Sequence, residues 1–331
     1  MPRSRENITA ELIQEWLSCR LGLSAHDGHC MVRGPLHERE NSRVFYAECA
    51  ALPTPAAIKW CWHPYTLQPD HDSAVRQFEA LRRVTEAMQA PGHFAVPRPY
   101  LLDRERALLA IEWIAGKTIT ASIASWGCGA NTAQGLLVDA GNWLRYFHRA
   151  GPLHDDRLDV ENRLRNLSDY DNSALARERV FSQGLAELRR SAAAAASIDL
   201  KRSWLHGDFK TDNLIISGQR IVGIDLQIKH ENAVVYDLAP FINHLDLAFY
   251  SPAFWRLAPT RERLITAFIE AYSEADADSL LLPLTWVRLY LMLSAWDTGP
   301  SRGSSRLRTA ILGRFYRSAI TRLSARLREL C

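Results

Sequence analysis

One stretch constrains this chain more than any other: Trp204 to Gln227, which reads WLHGDFKTDNLIISGQRIVGIDLQ. Asp208 opens it, Asn213 lies inside it and Asp225 closes it. Leu214, Ile215 and Ile216 form one β-prone run, Ser217–Arg220 punctuates it, and Ile221, Val222 and Ile224 form a second that ends at Asp225. The pattern predicts a loop, a hairpin and a carboxylate at a strand tip. Such a frame can gather one carboxylate, one amide and a second carboxylate around a single point. Ile224-Asp225-Leu226 sets a charge between apolar neighbours, which is costly without a metal or hydrogen bonds. The plainer alternative makes Asp208 and Asp225 solvent-facing turn residues.

A carboxylate that orients a hydroxyl, with an asparagine and an aspartate holding Mg²⁺ on nucleotide phosphates, is what phosphoryl transfer requires. His206-Gly207-Asp208, then Asn213, then Asp225 after a hairpin, resembles the catalytic core of the aminoglycoside phosphotransferase and choline kinase-like branch of the protein-kinase-like fold. The resemblance implies that Asp208 is the catalytic base or hydroxyl-orienting residue. It implies Asn213 and Asp225 as Mg²⁺ ligands, and it sets Lys210 near the transferred γ-phosphate. The implied fold class is α+β and bilobal, with an antiparallel β-sheet N-lobe carrying one long helix and a mostly helical C-lobe. The expected division is 1–115 for a nucleotide-binding lobe and 116–331 for a catalytic and substrate-binding lobe.

The N-terminal half fits that expectation element by element. Asn7 or Thr9 can cap a helix over roughly Ala10–Leu21. Strands follow at about Cys30–Arg33 and Arg43–Cys49, joined by a Gly34–Ser42 loop. The resembled fold covers phosphates with the loop between its first two strands. This chain has only Gly34 there, so phosphate contact would rest on backbone groups and on Asn41 or Ser42; an ordinary hairpin loop reads equally well. Ala57-Ile58-Lys59-Trp60-Cys61-Trp62 reads as a third strand, and a lysine amid apolar residues needs a partner. By resemblance Lys59 bridges ATP phosphates and pairs with Glu79, on a helix over about Ser73–Gln89. Two further strands, near Tyr100–Leu102 and Ala107–Ile114, lead to Glu112-Trp113-Ile114, which looks like the hinge where adenine meets backbone groups.

Helical periodicity dominates the rest: Gln134–Arg149, a long helix from about Ser173 into Ala192–Ala196, then Arg261–Tyr272, Leu280–Trp296 and roughly Ser304–Leu330. His148 reads as a packed or capping histidine, and by resemblance Asp237 belongs to the segment that buttresses the catalytic loop from a helix start. His244 and Asp246 fall close to the expected substrate mouth. The terminal helix spaces Leu307, Ile311, Phe315, Ala319, Leu323 and Leu327 along one stripe, with Arg314, Arg317, Arg322, Arg326 and Arg328 among the arginines opposite. Facing a pocket, those arginines suit an anionic or lipid-linked acceptor; facing water, they are a solvated surface.

Composition sets outer limits. An apolar fraction of 47%, 23% charged residues and a net charge of +3 point neither to disorder nor to a nucleic-acid coat. The six cysteines show no close metal-ligand spacing and suggest reduced thiols in a cytoplasmic protein. No secretory leader and no transmembrane segment is expected. The expected function is transfer of the ATP γ-phosphoryl group, with Mg²⁺, to a hydroxyl of a small molecule (sugar, amino alcohol or saccharide-like). Two alternatives stand beside it, an aminoglycoside resistance phosphotransferase and a silent nucleotide-binding pseudokinase. Monomer and homodimer are both compatible with the terminal helix.

Overall fold

The computed structural model describes residues 8–23, 30–39, 41–66, 68–88, 92–125, 127–168, 177–228, 231–274, 277–297 and 306–331, with backbone alone at 297 and 306–308. The fold is bilobal, and the chain divides into two compact units. One comprises Met1–Gly116 with Ile215–Ile228, the other Lys117–Leu214 with Lys229–Cys331.

The first unit opens with α1 (Ala10–Arg20), whose Leu12 amide donates to the capping Thr9 hydroxyl at 3.4 Å. Then come β1 (Met31–Arg39), β2 (Ser42–Glu48), β3 (Ala56–Cys61), α2 (His71–Met88), β4 (Phe94–Ala95), β5 (Pro99–Asp103) and β6 (Leu108–Glu112). Five of these strands form an antiparallel sheet in the order β1-β2-β3-β6-β5. Alternation along β3 decides what each face carries. Ala56, Ile58 and Trp60 pack with Ile13, Trp16 and Leu17 of α1, whereas Cys61 joins Ala74 and Phe78 of α2. Lys59, two residues before Cys61, therefore falls on the α2 side. The start of α2 is fixed by Asp70, whose Oδ1 accepts the Ser73 amide at 2.9 Å.

Two expectations for this unit need correction. Residues 34–39 are strand rather than loop, because a bulge between Arg33 and His37 takes up Gly34 and Pro35 and pairing resumes at His37↔Val44. Ser42 consequently starts β2 and is buried, and the Asn41 carbonyl accepts the Trp62 amide at 3.0 Å. The cysteines are also not all reduced. Met31 pairs with Glu48, so Cys30 and Cys49 come opposite each other at the foot of the hairpin and are joined as a disulfide; Cys19, Cys61, Cys128 and Cys331 are free.

After β6 the chain enters the second unit through β7 (Lys117–Thr118), α3 (Ile119–Ala124), α4 (Ala130–Ala150), β8 (His154–Asp156), α5 (Val160–Ser168), α6 (Arg179–Ala196) and β9 (Leu200–Trp204). The expected helix start near Ser173 lies outside the described residues. The hairpin β10 (Leu214–Ser217) and β11 (Arg220–Gly223) belongs mainly to the first unit, turning at Gly218 with φ +61° and pairing parallel to β4. The second unit resumes with β12 (Glu231–Ala233), α7 (Val235–Ala248), α8 (Arg261–Ser273), α9 (Ala277–Asp297) and α10 (Arg306–Leu330). Its strands β8, β9 and β12 form a small antiparallel sheet.

The helices α4 and α8 meet closely, as do α9 with α6, α7 and α10. Among the described residues α9 is the one helix long and apolar enough to cross a membrane, yet Trp286, Val287, Leu289 and Leu293 are fully buried in the helical core. Of the terminal stripe, Phe315, Ala319, Leu323 and Leu327 are buried and Ile311 is exposed. The arginines opposite are largely paired with acids. Arg317 meets Glu178, Arg322 meets Asp246, Arg326 meets Glu329 and Arg328 meets Glu187.

Candidate active site

Two groups of the expected site residues assemble, one in each unit. In the first unit Lys59 Nζ donates to Asp225 Oδ1 at 2.7 Å, and Arg39 Nη1 stands 3.5 Å from Asp225 Oδ2. Asp225 follows the hairpin and has φ +62°, a left-handed conformation uncommon for a residue with a side chain. Aspartate tolerates that region better than most residues, and such outliers gather at functional positions. Lys59 is about as sheltered as Asp225, so each charge answers the desolvation of the other.

The expected Lys59–Glu79 pair is absent here. Glu79 accepts Arg82 Nε at 3.0 Å along its own helix, and Arg82 also reaches Glu86. Lys59 takes Asp225 because β3 and the end of the hairpin bring the two within reach. Arg39, which also faces Asp225, carried no distinguishing signal in the sequence. In the hinge stretch, the Glu112 amide donates to the Arg98 carbonyl at 2.7 Å and the Trp113 amide to the Pro55 carbonyl at 2.8 Å. The Glu112 carboxylate accepts the Arg98 amide, and the Trp113 ring meets Tyr46 edge-on at 5.3 Å. Ile114 is partly buried.

The second group surrounds Asp208. Its Oδ2 accepts Lys210 Nζ at 2.7 Å and Asn213 Nδ2 at 3.0 Å. The same Asn213 Nδ2 also donates to the Asp208 carbonyl at 2.8 Å. Two acceptors on one nitrogen fix which way the amide points. Asn213 Oδ1 must then face away, and it is buried with no hydrogen-bond partner.

What holds this loop still lies beneath it. Asp237, at the start of α7, is buried and accepts the His206 amide at 2.6 Å and the Gly207 amide at 3.1 Å. His148 Nε2 adds a third contact to Asp237 at 3.1 Å, and its Nδ1 lies 2.8 Å from the Tyr272 hydroxyl. Burial, reinforced by Asp237, pushes the Tyr272 hydroxyl well above its ordinary pKa, so it keeps its proton and can donate. Gly207 has φ +81°, which a Cβ would strain while the amide turns toward Asp237. Phe209 stacks between Trp143 and Phe241, at 5.7 and 4.9 Å, pinning the residue after Asp208 to the helical core. Asp237 as a buttress and His148 as a packed histidine match the sequence reading; Tyr272 carries no distinguishing signal there, being one aromatic on the buried face of an amphipathic helix.

Among the described residues no three His, Cys, Asp or Glu side chains cluster as a metal site. Each unit instead offers one hard-oxygen group, the orphaned Asn213 Oδ1 in the second and the carboxylate of Asp225 in the first. Oxygen donors of that kind suit Mg²⁺, which takes few protein ligands and completes its shell with phosphate and water.

A family model for phosphotransferase enzymes matches residues 60–280. The fold is similar to solved structures at low identity. A glucosamine kinase matches with TM-score 0.59 and 14% identity, over 95% of this chain and 86% of that one. A choline/ethanolamine kinase family protein from Mesorhizobium loti matches with TM-score 0.57 and 14% identity, over 96% of this chain and 99% of that one. The amicoumacin kinase hAmiN, in complex with AMP-PNP and Ca²⁺, matches with TM-score 0.56 and 14% identity, over 86% and 87%. No curated protein matches the sequence. The matched span covers most of the chain and contains Asp208, Asn213 and Asp225, so the protein belongs to the phosphotransferase enzyme family.

Proposed function

We propose that this protein transfers the γ-phosphoryl group of ATP to a hydroxyl of a small molecule, with Asp208 orienting that hydroxyl and accepting its proton. The observation that carries the proposal is the Asn213 amide. Its nitrogen is spent on Asp208, which leaves a buried oxygen without a partner, and an unpaired buried acceptor is expensive unless a ligand answers it.

Asn213 Oδ1 and Asp225 would hold Mg²⁺, which when bound neutralises charge on the phosphates. The remaining work falls to side chains. Lys59 would contact the nucleotide phosphates, an exchange favoured by its flexible stem and point charge. Asn41 and Ser42, at the turn of the first hairpin, would approach the phosphates from their backbone side. Adenine would sit against Glu112, Trp113 and Ile114, where two of the three amides are already engaged, so carbonyl groups would carry more of its recognition. Lys210 pairs with Asp208 and holds its carboxylate in place. That suits phosphoryl transfer, in which alignment and charge stabilisation outweigh proton abstraction.

The arginine-rich terminal helix no longer favours an anionic acceptor, since Arg317, Arg322, Arg326 and Arg328 are engaged by acids. The test is transfer from γ-labelled ATP with Mg²⁺ to a panel of sugars, amino alcohols, aminoglycosides and fractionated metabolites, with Asp208→Asn alongside. A labelled product made by the wild type and lost in the variant supports the reading. Tight Mg·ATP binding without product on any acceptor would overturn it in favour of a regulatory nucleotide binder.

A further inference from the structure

Asp225 is met by two cations of its own unit, one on each carboxylate oxygen. Lys59 Nζ holds Oδ1 at 2.7 Å, and Arg39 Nη1 stands 3.5 Å from Oδ2. Strand register explains why both reach it. His37 pairs with Val44 and Val44 with Lys59, while Arg39 pairs with Ser42 and Ser42 with Cys61. Paired residues share a face, as do residues two apart on one strand, so Arg39 and Lys59 project from the same side of the sheet. Glu38, between them in the alternation, faces the other way and accepts Arg43 Nη2 at 2.6 Å. Among the described residues Asp225 is the one acid within ion-pair distance of Arg39, and likewise of Lys59. The two contacts are unlike. The lysine is sheltered and hydrogen-bonded, whereas the arginine side chain is 58% exposed and its 3.5 Å approach is an ion pair without a hydrogen bond. Such a contact is weak, and the forked donors of a guanidinium fit phosphate oxygens better than one loosely held carboxylate oxygen.

We propose that Arg39 is a latch that changes partner: it guards Asp225 in the nucleotide-free chain and moves to the nucleotide phosphates when they arrive, which frees Asp225 for the metal. The inference rests on the phosphotransferase reading above and adds a binding order to it. Free Mg²⁺ competes with two cations for Asp225 and loads poorly, whereas a polyphosphate draws both cations away and brings its own metal. The exchange breaks one ion pair and forms another; no proton and no covalent bond changes place. Lys59 makes the same exchange from a tighter contact, so the exposed Arg39 is the part that opens first.

Equilibrium binding to the full chain tests this without any acceptor. The probes are Mg²⁺ with a non-hydrolysable ATP analogue, adenosine, and Mg²⁺ alone. Arg39→Gln should weaken the Mg²⁺-nucleotide complex by about tenfold or more, the scale of one lost charge-assisted contact, and leave adenosine unchanged. The same variant should bind Mg²⁺ alone more tightly than the wild type, because Asp225 has lost a competing cation. Arg39→Lys, which keeps the charge without the fork, should fall between the two. Changes of opposite sign for nucleotide and metal separate a latch from a merely structural residue, whose loss would weaken every ligand and lower the thermal midpoint. Nucleotide binding unchanged in Arg39→Gln, adenosine weakened as much as the nucleotide, or Mg²⁺ alone bound no more tightly, each overturns this inference and leaves the phosphotransferase reading, judged by product formation, intact. A wild type that binds no Mg²⁺-nucleotide overturns that reading and this inference with it.

Discussion

Lys59 Nζ donates to Asp225 Oδ1 at 2.7 Å, so the lysine of the third strand is held by the carboxylate proposed to bind metal rather than by Glu79 of the long helix. This pairing keeps two sheltered charges satisfied when no nucleotide is present, and it keeps the ammonium beside the carboxylate that would meet the phosphates. Lys59→Met is expected to lower kcat/KM for ATP by about 10²–10³-fold, the usual cost of removing one preorganised charge from phosphoryl chemistry. Glu79→Gln should change it less than about threefold, since Glu79 is occupied by Arg82. Steady-state kinetics on both variants decide the matter; equal losses would restore Glu79 as the working partner.

The second prediction concerns Asp237, which accepts hydrogen bonds from the His206 and Gly207 amides and is also met by His148. Asp237→Asn keeps the shape but turns an NH₂ group toward donors. One buried amide is then left unsatisfied, a loss of about 1–3 kcal/mol, and the loop carrying Asp208 loosens. The expected outcome is a lower unfolding midpoint in denaturant together with a kcat reduced by more than about tenfold, since small misplacements of an orienting group are costly. Tyr272→Phe, one step further out, should cost stability with kcat nearly unchanged. An Asp237→Asn variant of full activity would remove the buttress from the mechanism.

Legibility in the sequence followed the range of the forces involved. The hairpin to Asp225 is readable because turn residues and β-prone runs act locally, and the near-continuous apolar run around Lys59 marks a strand burying both faces. The extent of β1 was missed because a bulge at Gly34 and Pro35 restores pairing only with knowledge of the facing strand. The Cys30–Cys49 link was invisible for the same reason: spacing does not reveal which residues a register sets opposite. The arginines of α10 read as a basic face in the sequence, but their partners Glu187 and Asp246 come from other helices and Glu178 from the residue that precedes α6. The Asn213 orphan oxygen needed side-chain geometry, although the residue itself stood out at once.

Cys61 offers a test by pH. It lies on the α2 side of β3, and burial pushes its thiol up to about 11, with nearby Lys59 opposing and Asp70 and Asp225 adding to the rise. The folded chain therefore disfavours the thiolate. The stabilisation is fully present below the unfolded value near 9.0 and is lost as pH rises through about 11. Cys61→Ala should flatten the stability profile between pH 9 and 11, by no more than about 2–3 kcal/mol for a shift of this size. Alkylation of the native chain at neutral pH should mark the exposed Cys19 and Cys331 and spare Cys61. Rapid labelling of Cys61 under those conditions would contradict the burial described here.

Gly141 provides the last prediction, one of packing alone. It lies in α4 where that helix meets α8, and a Cβ there would come 2.5 Å from the Phe268 carbonyl oxygen and 3.1 Å from the Ala271 Cβ. The first contact is with helical backbone, which cannot rotate away as a side chain could, so the two helices must separate. Alanine favours helix over glycine by about 1 kcal/mol, and overpacking opposes it by about 1–3 kcal/mol. The steric term is expected to win because the clash is with backbone and Phe268 packs on Phe241, which in turn stacks on Phe209 beside Asp208. Gly141→Ala should therefore lower both the thermal midpoint and kcat, whereas Gly135→Ala on the same helix, with open space around its Cβ, should raise the midpoint. A stabilised Gly141→Ala chain would show that α4 and α8 yield more easily than their spacing implies.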